Sequence, residues 1–396
     1  MPGGSIGSTH RVSLGSFYFL FFATLGVYLP YFTLYLERLG FDPVQIALAA
    51  AILPLIKATA PIFWGMAADR TGRRWELTVL TCALAAASAA LFLGVSSFAG
   101  ICLVLALYSV FHSGSLPLVE ATALENVGQG RAGYGGTRVW GSIGFITVAG
   151  AWGWWLDRAG MHWVIYGLVA LSILKLGAAL ALPRARQARA LPAQQPLSRV
   201  PRPAVGLFFA ATLLQQASHG PYYAYFSLHL ESLGWSRTAI GGAWVVGVLS
   251  EVLMMIAAER WIARWGLQAV LVTTHAAALV RWVLLSALFN PLALMLAQTL
   301  HAFTFGAFHV SAVRRTQRLF PPARRGLGLS LYSALTYGAG SAVGFFGSGL
   351  LHGLLGVRGL FLVGAGTALA AALIQGLSGT VERRQRGAFD AAAPVG

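Results

Sequence analysis

Residues 35–41, YLERLGF, recur 194 residues later as residues 229–235, HLESLGW. The alignment continues without a gap and places Lys57 opposite Glu251 in the second copy. This period is far longer than the roughly 20–50 residues of a solenoid repeat, so it indicates duplication of half a chain. The sequence therefore predicts two related halves, each with one ionisable residue at the same position.

Long apolar segments flank both copies of the repeat. The 396 residues are 57% hydrophobic and 10% charged, whereas soluble domains carry roughly 25% charged residues. Apolar runs of about 20 residues, enough for a helix to cross about 30 Å of hydrocarbon, recur from Phe17 to Leu377. We predict an all-α membrane protein with twelve transmembrane helices in two pseudo-symmetric six-helix bundles. The predicted spans are residues 14–36, 44–67, 75–94, 98–123, 137–156, 162–182, 204–229, 239–262, 267–287, 291–313, 326–351 and 357–378.

The segment between the sixth and seventh spans has a different composition. It is rich in Pro, Arg, Gln and Ala and has no apolar period, which favours a flexible linker. The predicted parts are a cytoplasmic N-terminal tail (1–13), an N-terminal bundle (14–182), a cytoplasmic linker (183–203), a C-terminal bundle (204–378) and a cytoplasmic C-terminal tail (379–396).

The net charge of +16 is distributed asymmetrically. By the predicted spans, 20 of the 28 Lys and Arg residues lie on one side of the membrane, four lie on the other and four lie within spans. This distribution follows the positive-inside rule and predicts an inner-membrane protein with both termini in the cytoplasm. It explains the basic charge, so we expect no nucleic acid partner. The expected environment of the protein is the lipid bilayer.

Six ionisable side chains fall within or at the ends of predicted spans. An ion at the bilayer centre costs at least about 2.5–3.5 kcal/mol, so such residues are expected to face a water-filled path, a partner or a substrate. The six are Glu120, Arg138, Lys57, Glu251, Arg281 and His301. By their depth along the spans, the last four of these residues converge on the middle of the membrane.

Other functional classes lack their sequence signals. The chain has no GxxxxGK[ST] nucleotide loop, no metal-ligand spacing and no nucleophile triad. We therefore expect neither an enzyme nor a cofactor or metal, and we expect transport to draw on an ion gradient or the substrate gradient.

The end of the second predicted span carries a motif. Residues 65–74, GMAADRTGRR, resemble the GxxxDRxGRR loop of the major facilitator superfamily. The resemblance implies that the acid of this loop helps to hold the inside-closed state, and that the glycine allows close packing. The gating residues that it implies are Gly65, Asp69, Arg70, Gly72 and Arg73.

A second set of motifs resembles particular branches of that superfamily. Glu120 with residues 134–145, YGGTRVWGSIGF, is similar to helices 4 and 5 of the lactose permease-type proton symporters. Residues 216–223 and 300–314 look most like the phenylpropionate permease branch. One position departs from the lactose pattern, because Thr304 stands where those symporters carry the glutamate that releases the proton.

These motifs and charges give the candidate site. Proton coupling is assigned to Glu251, Arg281 and His301. Lys57 and Glu251 are expected to approach each other across a central cavity, so that protonation of Glu251 frees Lys57 for an anion. A permanent structural ion pair is the alternative. The expected substrate-binding residues are Lys57, Glu120, Arg138, Phe145, Tyr28, Tyr31, Tyr222 and Tyr223.

The tyrosines are proposed as an aromatic box, with a membrane-interface belt as the alternative. Lys175, about eight residues from the cytoplasmic end of span six, is expected to extend its amine towards the interface.

We expect a secondary transporter that works by alternating access as a monomer. The resemblance to the permeases implies that protons and a small aromatic organic acid similar to phenylpropionate are its partners and are taken up together. Three alternatives stay open: a proton symporter for a sugar or nucleoside, proton-coupled efflux of amphipathic compounds, and a non-transporting membrane sensor or scaffold.

Overall fold

The computed structural model of the protein describes residues 8–127, 134–184 and 202–391, and these residues form helices joined by short turns. The α-helices are α1 (Ser8–Arg38), α2 (Pro43–Thr71), α3 (Arg74–Leu91), α4 (Phe98–Val127), α5 (Tyr134–Ala159), α6 (Trp163–Leu180), α7 (Arg202–Ala217), α8 (Gly220–Ser232), α9 (Arg237–Trp265), α10 (Leu267–Ala287), α11 (Pro291–Gln298), α12 (Phe308–Leu319), α13 (Arg325–Tyr332) and α14 (Ser341–Ala391).

The predicted all-α fold with twelve spans is confirmed. Helices α1 to α6 form one span each, and α9 and α10 form spans eight and nine. Span seven consists of α7 and α8. Spans ten and eleven each contain a π-helical segment, Ala302–Ala307 and Ser333–Gly340. Helix α14 contains the end of span eleven and the whole of span twelve, separated by Gly356, whose φ of 61° breaks the helical path.

The described residues form two compact units. Unit 1 comprises residues 8–184 and 224–245, and unit 2 comprises residues 202–223 and 246–391. Residues 224–245, which lie in the predicted spans seven and eight, pack within unit 1. Most of the predicted linker, residues 185–201, lies outside the described residues.

The repeated heptapeptide forms the same turn twice, both times in unit 1. Gly40 and Gly234 have φ values of 83° and 82°, a left-handed conformation that glycine adopts without steric cost. The following N–H of Phe41 donates to Leu36 at 3.2 Å, and that of Trp235 donates to Leu230 at 3.1 Å. Both copies therefore end a helix with the same C-terminal cap.

Close backbone contacts join the first and fifth spans of unit 1. A Cβ atom on Gly26 would lie 2.9 Å from the carbonyl oxygen of Phe145, and one on Gly144 would overlap the backbone of Phe19. Small residues at such contacts let transmembrane helices approach closely, which favours van der Waals packing where the lipid offers no hydrophobic driving force.

Residues 224–245 are held on unit 1 by hydrogen bonds. The Tyr225 hydroxyl donates to the carbonyl of Pro43 at 2.6 Å. The Glu231 carboxylate lies 3.1 Å from a guanidinium nitrogen of Arg38 and 3.1 Å from one of Arg237. These contacts lie where α1 ends and α2 and α9 begin.

Asp157, at the end of α5, caps the beginning of α9. Its carboxylate accepts the N–H of Arg237 at 2.8 Å, the N–H of Thr238 at 2.9 Å and the Thr238 hydroxyl at 2.6 Å. Burial raises the pKa of Asp157, but the bonds from Thr238 and from both N–H groups outweigh burial, so the carboxyl pKa lies below its usual range. A carboxylate at a helix N-terminus is stabilising.

We expect Asp157→Ala to lower the free energy of unfolding by about 0.5–2 kcal/mol, the usual contribution of a helix N-cap. The neighbouring Arg158→Ala is the matched control, because Arg158 bonds only to Trp154 of its own helix among the described residues. Because the folded-state pKa is depressed, the contribution is complete above the unfolded value of about 4 and is lost as the pH falls through the folded value. Thermal unfolding in detergent should therefore give the same difference in unfolding free energy between wild type and Asp157→Ala at pH 8 and at about pH 5. A difference that vanishes already at pH 6, or equals that of Arg158→Ala, would contradict this role.

In unit 2, Arg315 ties the last helix to the bundle. It is buried, and its guanidinium donates to Ser378 at 3.1 Å, to Glu382 at 2.9 Å and to Gln268. Glu382 belongs to the predicted C-terminal tail 379–396, but α14 continues as a helix to Ala391. This ion pair anchors the first turn of the tail to the core of unit 2.

Candidate functional site

Unit 1 carries three charged side chains close to one another. The Arg138 Nε lies 3.8 Å from the Glu120 Oε1, and each side chain is about one third exposed. The charges of both residues act on Lys57, which is exposed on α2. Among the described side chains of unit 1, none forms a hydrogen bond or an ion pair with Lys57. The group therefore has two positive charges and one negative charge.

Arg138 is held in place by aromatic rings. Its guanidinium lies 4.1 Å from the centre of the Phe22 ring and 5.6 Å from that of Tyr18. Cation–π contacts of this kind contribute roughly 0.5–2 kcal/mol and fix the plane of the guanidinium. Its contact with Glu120, at 3.8 Å, is longer than a hydrogen bond.

The aromatic residues predicted for this half of the site are buried in helix contacts. Phe145 is 4% exposed and Tyr28 6% exposed, and Tyr28 stacks on Phe32 at 4.8 Å. Tyr31 is fully buried, and its hydroxyl donates to the carbonyl of Ala149 at 2.5 Å. The three rings belong to the packing of unit 1 in this conformation.

The gating motif lies at the end of α2. Gly72, with a φ of 69°, caps the helix, and its N–H donates to Ala68 at 3.0 Å. Asp69, Arg70 and Arg73 are exposed. A Cβ atom on Gly65 would meet nothing within 4 Å, so the close packing implied for this glycine is not present in the described conformation.

Unit 2 carries a second polar group, built around Arg281. The Arg281 side chain is fully buried, and its two terminal nitrogens donate to the His301 Nδ1 at 2.9 Å, the Thr304 hydroxyl at 3.1 Å and the Gln298 Oε1 at 2.8 Å. Glu251 contacts the opposite side of the imidazole, with 3.3 Å between its Oε2 and the His301 Nε2. The three residues predicted for proton coupling therefore lie together.

The π-helical segment after His301 brings two of these ligands to Arg281. A π segment inserts one extra residue into a helix and occurs frequently at functional sites. Here it begins directly after His301 and contains Thr304, and both side chains reach the same guanidinium nitrogen. Thr304, which stands at the position of the missing glutamate, is thus a ligand of Arg281 instead of a proton carrier.

The hydrogen bonds of His301 determine which of its two ring nitrogens carries the proton. Arginine has only donors, so the His301 Nδ1 must accept the bond from Arg281. The ring proton therefore lies on Nε2 and points to the Glu251 carboxylate. Within this triad, Glu251 is the group whose protonation can change while the bond between Arg281 and His301 is kept.

The predicted tyrosines of span seven occupy different environments. Tyr222 is 1% exposed, and its ring packs 4.3 Å from the Arg281 guanidinium. Tyr223 is half-buried, and the charge of Glu251 acts on it. Tyr222 therefore supports Arg281, whereas Tyr223 has exposed surface beside the acid.

Sequence reasoning overlooked part of each unit. Gln298 was missed, although its position three residues before His301 in the same predicted span was a usable signal. The expectation that Lys175 extends towards the interface is wrong. The side chain is fully buried, and its Nζ lies 2.9 Å from the His112 Nδ1.

The comparisons with known proteins agree with this fold. Residues 11–363 match the family described as MFS_1 like family. The chain belongs to this family. It is a multi-pass membrane transporter of the major facilitator superfamily, as its motifs predicted.

Two curated relatives of this MFS_1-like transporter align over most of their length. The maltose permease of Geobacillus stearothermophilus is 28% identical over 339 residues, which cover 82% of this chain and 83% of the relative. The probable 3-phenylpropionic acid transporter of Escherichia coli (strain K12) is 25% identical over 379 residues, which cover 93% and 97%. Among solved structures, a variant of the nucleoside transporter NupG matches with a TM-score of 0.83 and 19% identity, over 93% of this chain and 99% of that one. At this identity, the structural match supports the fold alone.

Neither polar group of the transporter resembles a metal centre. Within residues 8–127, 134–184 and 202–391, no three His, Cys, Asp or Glu side chains lie close enough together to hold a metal ion. The chemistry that the two groups offer is charge recognition in unit 1 and reversible protonation in unit 2.

Proposed function

We propose that this transporter works by alternating access and imports a small aromatic organic acid together with a proton. The observation that supports this proposal most strongly is the position of Lys57. An exposed ammonium within a span, without an ion pair among the described side chains of unit 1, is a strong candidate for the counter-ion of an anionic substrate, since intramembrane charges are retained for function. Together with Arg138 and Glu120 it has an excess of one positive charge, which one carboxylate would neutralise.

The proton is assigned to Glu251. The bond from Arg281 leaves the His301 Nε2–H as a donor to this carboxylate, so the imidazole stabilises the ionised acid. Loss of that contact, or of water around it, would favour the protonated acid. Glu251 is the carboxylate that this arrangement favours in place of the glutamate that Thr304 replaces.

The proposal that the substrate is aromatic is based on the name of a relative. The name of the Escherichia coli relative specifies 3-phenylpropionic acid, a carboxylate attached to a phenyl ring. An anion of this kind suits the excess positive charge at Lys57, and Tyr223 and Phe22 offer ring surface in their respective units.

Symport of a sugar or nucleoside is the second candidate. The Glu120–Arg138 pair presents both an acceptor and donors, which is the combination that hydroxyl groups need, and one relative is a maltose permease. On this account Lys57 would be a structural residue and its charge would not be needed for uptake.

The remaining expectations form part of the same proposal. The protein would act as a monomer in the inner membrane with both termini in the cytoplasm, because 20 of its 28 basic residues fall on one predicted side and this asymmetry sets orientation.

Uptake into proteoliposomes with an acidic exterior tests the proposal. Labelled 3-phenylpropionate, maltose and uridine would be compared in the same preparation, with protein-free vesicles as the control. We expect accumulation of 3-phenylpropionate that collapses when the pH gradient is abolished by a protonophore. Accumulation of maltose or uridine instead would support the second candidate, and movement of none of the three would contradict import.

A further inference from the structure

We propose that Lys175 and His112 form a second protonation site, inside unit 1, whose occupancy is linked to anion binding at Lys57. The inference rests on the proposed function for the anion, but the site itself follows from the packing of α1, α3, α4 and α6.

The Lys175 amine is buried without a counter-ion. No part of the side chain is exposed, and its hydrogen-bond partner among the described residues is the His112 Nδ1, at 2.9 Å. No carboxylate of the described residues pairs with it. Its aromatic neighbour is Phe21, whose ring centre lies 5.4 Å from Nζ. A permanently charged amine is expensive in such surroundings unless it is paired.

The imidazole of His112 is equally enclosed. It stacks on the rings of Phe21 at 4.4 Å and of Tyr108 at 5.0 Å. The Tyr108 hydroxyl lies 3.0 Å from the same Nδ1 that Lys175 reaches, while the Nε2 is buried with no hydrogen-bond partner among the described residues. A buried polar atom without a partner is uncommon and calls for a functional or structural reason.

The geometry permits two protonation states without moving the side chains. With the proton on Lys175, the ammonium donates to the His112 Nδ1. After loss of that proton, the neutral amine can still donate an N–H to the same nitrogen, or the Tyr108 hydroxyl can donate to that nitrogen in its place. One proton therefore enters or leaves while the contact between the two residues is preserved.

Lys57 connects this buried pair to the exposed group. Lys57 lies on α2, and this helix packs on α4 two residues from His112, where the Trp64 Nε1 donates to the carbonyl of Val110 at 3.1 Å. The charges of Lys57 and Lys175 both act on His112. The other titratable groups that face the pair are Tyr108 and Cys82. An anion bound at Lys57 would offset its positive charge and so favour a proton on the buried pair. Linkage is reciprocal, so a proton on the pair would strengthen anion binding by the same factor.

Potentiometric titration of the purified full chain in detergent tests the site without any substrate. Wild type and Lys175→Met would be titrated between pH 5 and 9, and thermal unfolding would confirm that both are folded. We expect wild type to release one more proton than Lys175→Met over this range. His112→Asn is a second variant, which opens the pair from the other side and should also change the number of protons released. If wild type and both variants release the same number of protons between pH 5 and 9, the proposal is overturned, because the amine would then have a fixed charge.

The pH dependence of transport tests the link to Lys57. In wild type, the KM for 3-phenylpropionate should rise by about 5- to 150-fold from low to high pH, the usual range of coupling between sites. Lys175→Met should give a high KM and the permanently charged Lys175→Arg a low one, and in each variant only the part of the pH dependence that Glu251 causes should remain. A wild-type pH profile in both variants would overturn the link. If 3-phenylpropionate is not transported at all, the proposed function fails while the titration still decides whether the site exists.

Discussion

Lys57→Gln is expected to lower the uptake of 3-phenylpropionate at least roughly 30-fold. Glutamine retains most of the size and the hydrogen-bonding capacity of lysine but removes the charge. In the substrate-bound state that we propose, the substrate carboxylate would cover the Lys57 ammonium and form a buried charge pair with it. Removing one partner of such a pair costs about 2–5 kcal/mol, and about 1.4 kcal/mol is a factor of ten. The initial rate of uptake by proteoliposomes at a substrate concentration below KM measures the effect.

Two further variants separate charge from structure. Lys57→Arg keeps the positive charge and should retain a measurable part of the uptake, although the planar guanidinium group differs in shape from the ammonium group. Thr59→Ala lies on the same helix, and its hydroxyl bonds only within that helix among the described residues, so it should transport normally. Unchanged uptake of 3-phenylpropionate by Lys57→Gln would remove Lys57 from substrate binding.

Glu251→Gln is expected to abolish accumulation driven by the pH gradient while exchange of substrate across the membrane persists. Glutamine can still accept the His301 Nε2–H but cannot gain or lose a proton. For one proton per anion, a gradient of one pH unit is worth about 1.4 kcal/mol, or tenfold accumulation. The accumulation ratio should therefore fall from about ten to about one.

Counterflow distinguishes this result from simple inactivation. Vesicles loaded with unlabelled 3-phenylpropionate should still exchange it for label in Glu251→Gln. Glu259→Gln is the matched control, because Glu259 belongs to the same helix but pairs with Arg314 at 2.7 Å on an exposed surface; it should accumulate substrate normally. Full accumulation by Glu251→Gln would assign the coupling proton to another group.

The sequence predicted the architecture because length and polarity determine it. A run of about 20 apolar residues can cross the bilayer only as a helix, and the two heptapeptides at Gly40 and Gly234 marked the duplication. The break in α14 at Gly356 and the π-helical segments left no comparable signal, because an extra residue in a helix changes neither composition nor hydrophobicity.

The candidate site was less predictable for a physical reason. Spans that are apolar all round carry no stripe that shows how a helix is rotated about its axis. The sequence therefore found the ionisable residues but not which rings face them, and Tyr31 and Tyr222 are buried in packing. The contact between His112 and Lys175 joins helices 63 residues apart and follows no motif, so it could be found only from the structure.

Simultaneous measurement of substrate and proton movement tests the central claim most directly. Proteoliposomes that enclose a pH-sensitive dye, with no imposed pH gradient, would receive 3-phenylpropionate outside. The account predicts acidification of the lumen that matches the uptake of label in wild type and is lost in both Lys57→Gln and Glu251→Gln. Uptake of label through the protein without acidification, or acidification that persists in both variants, would contradict it.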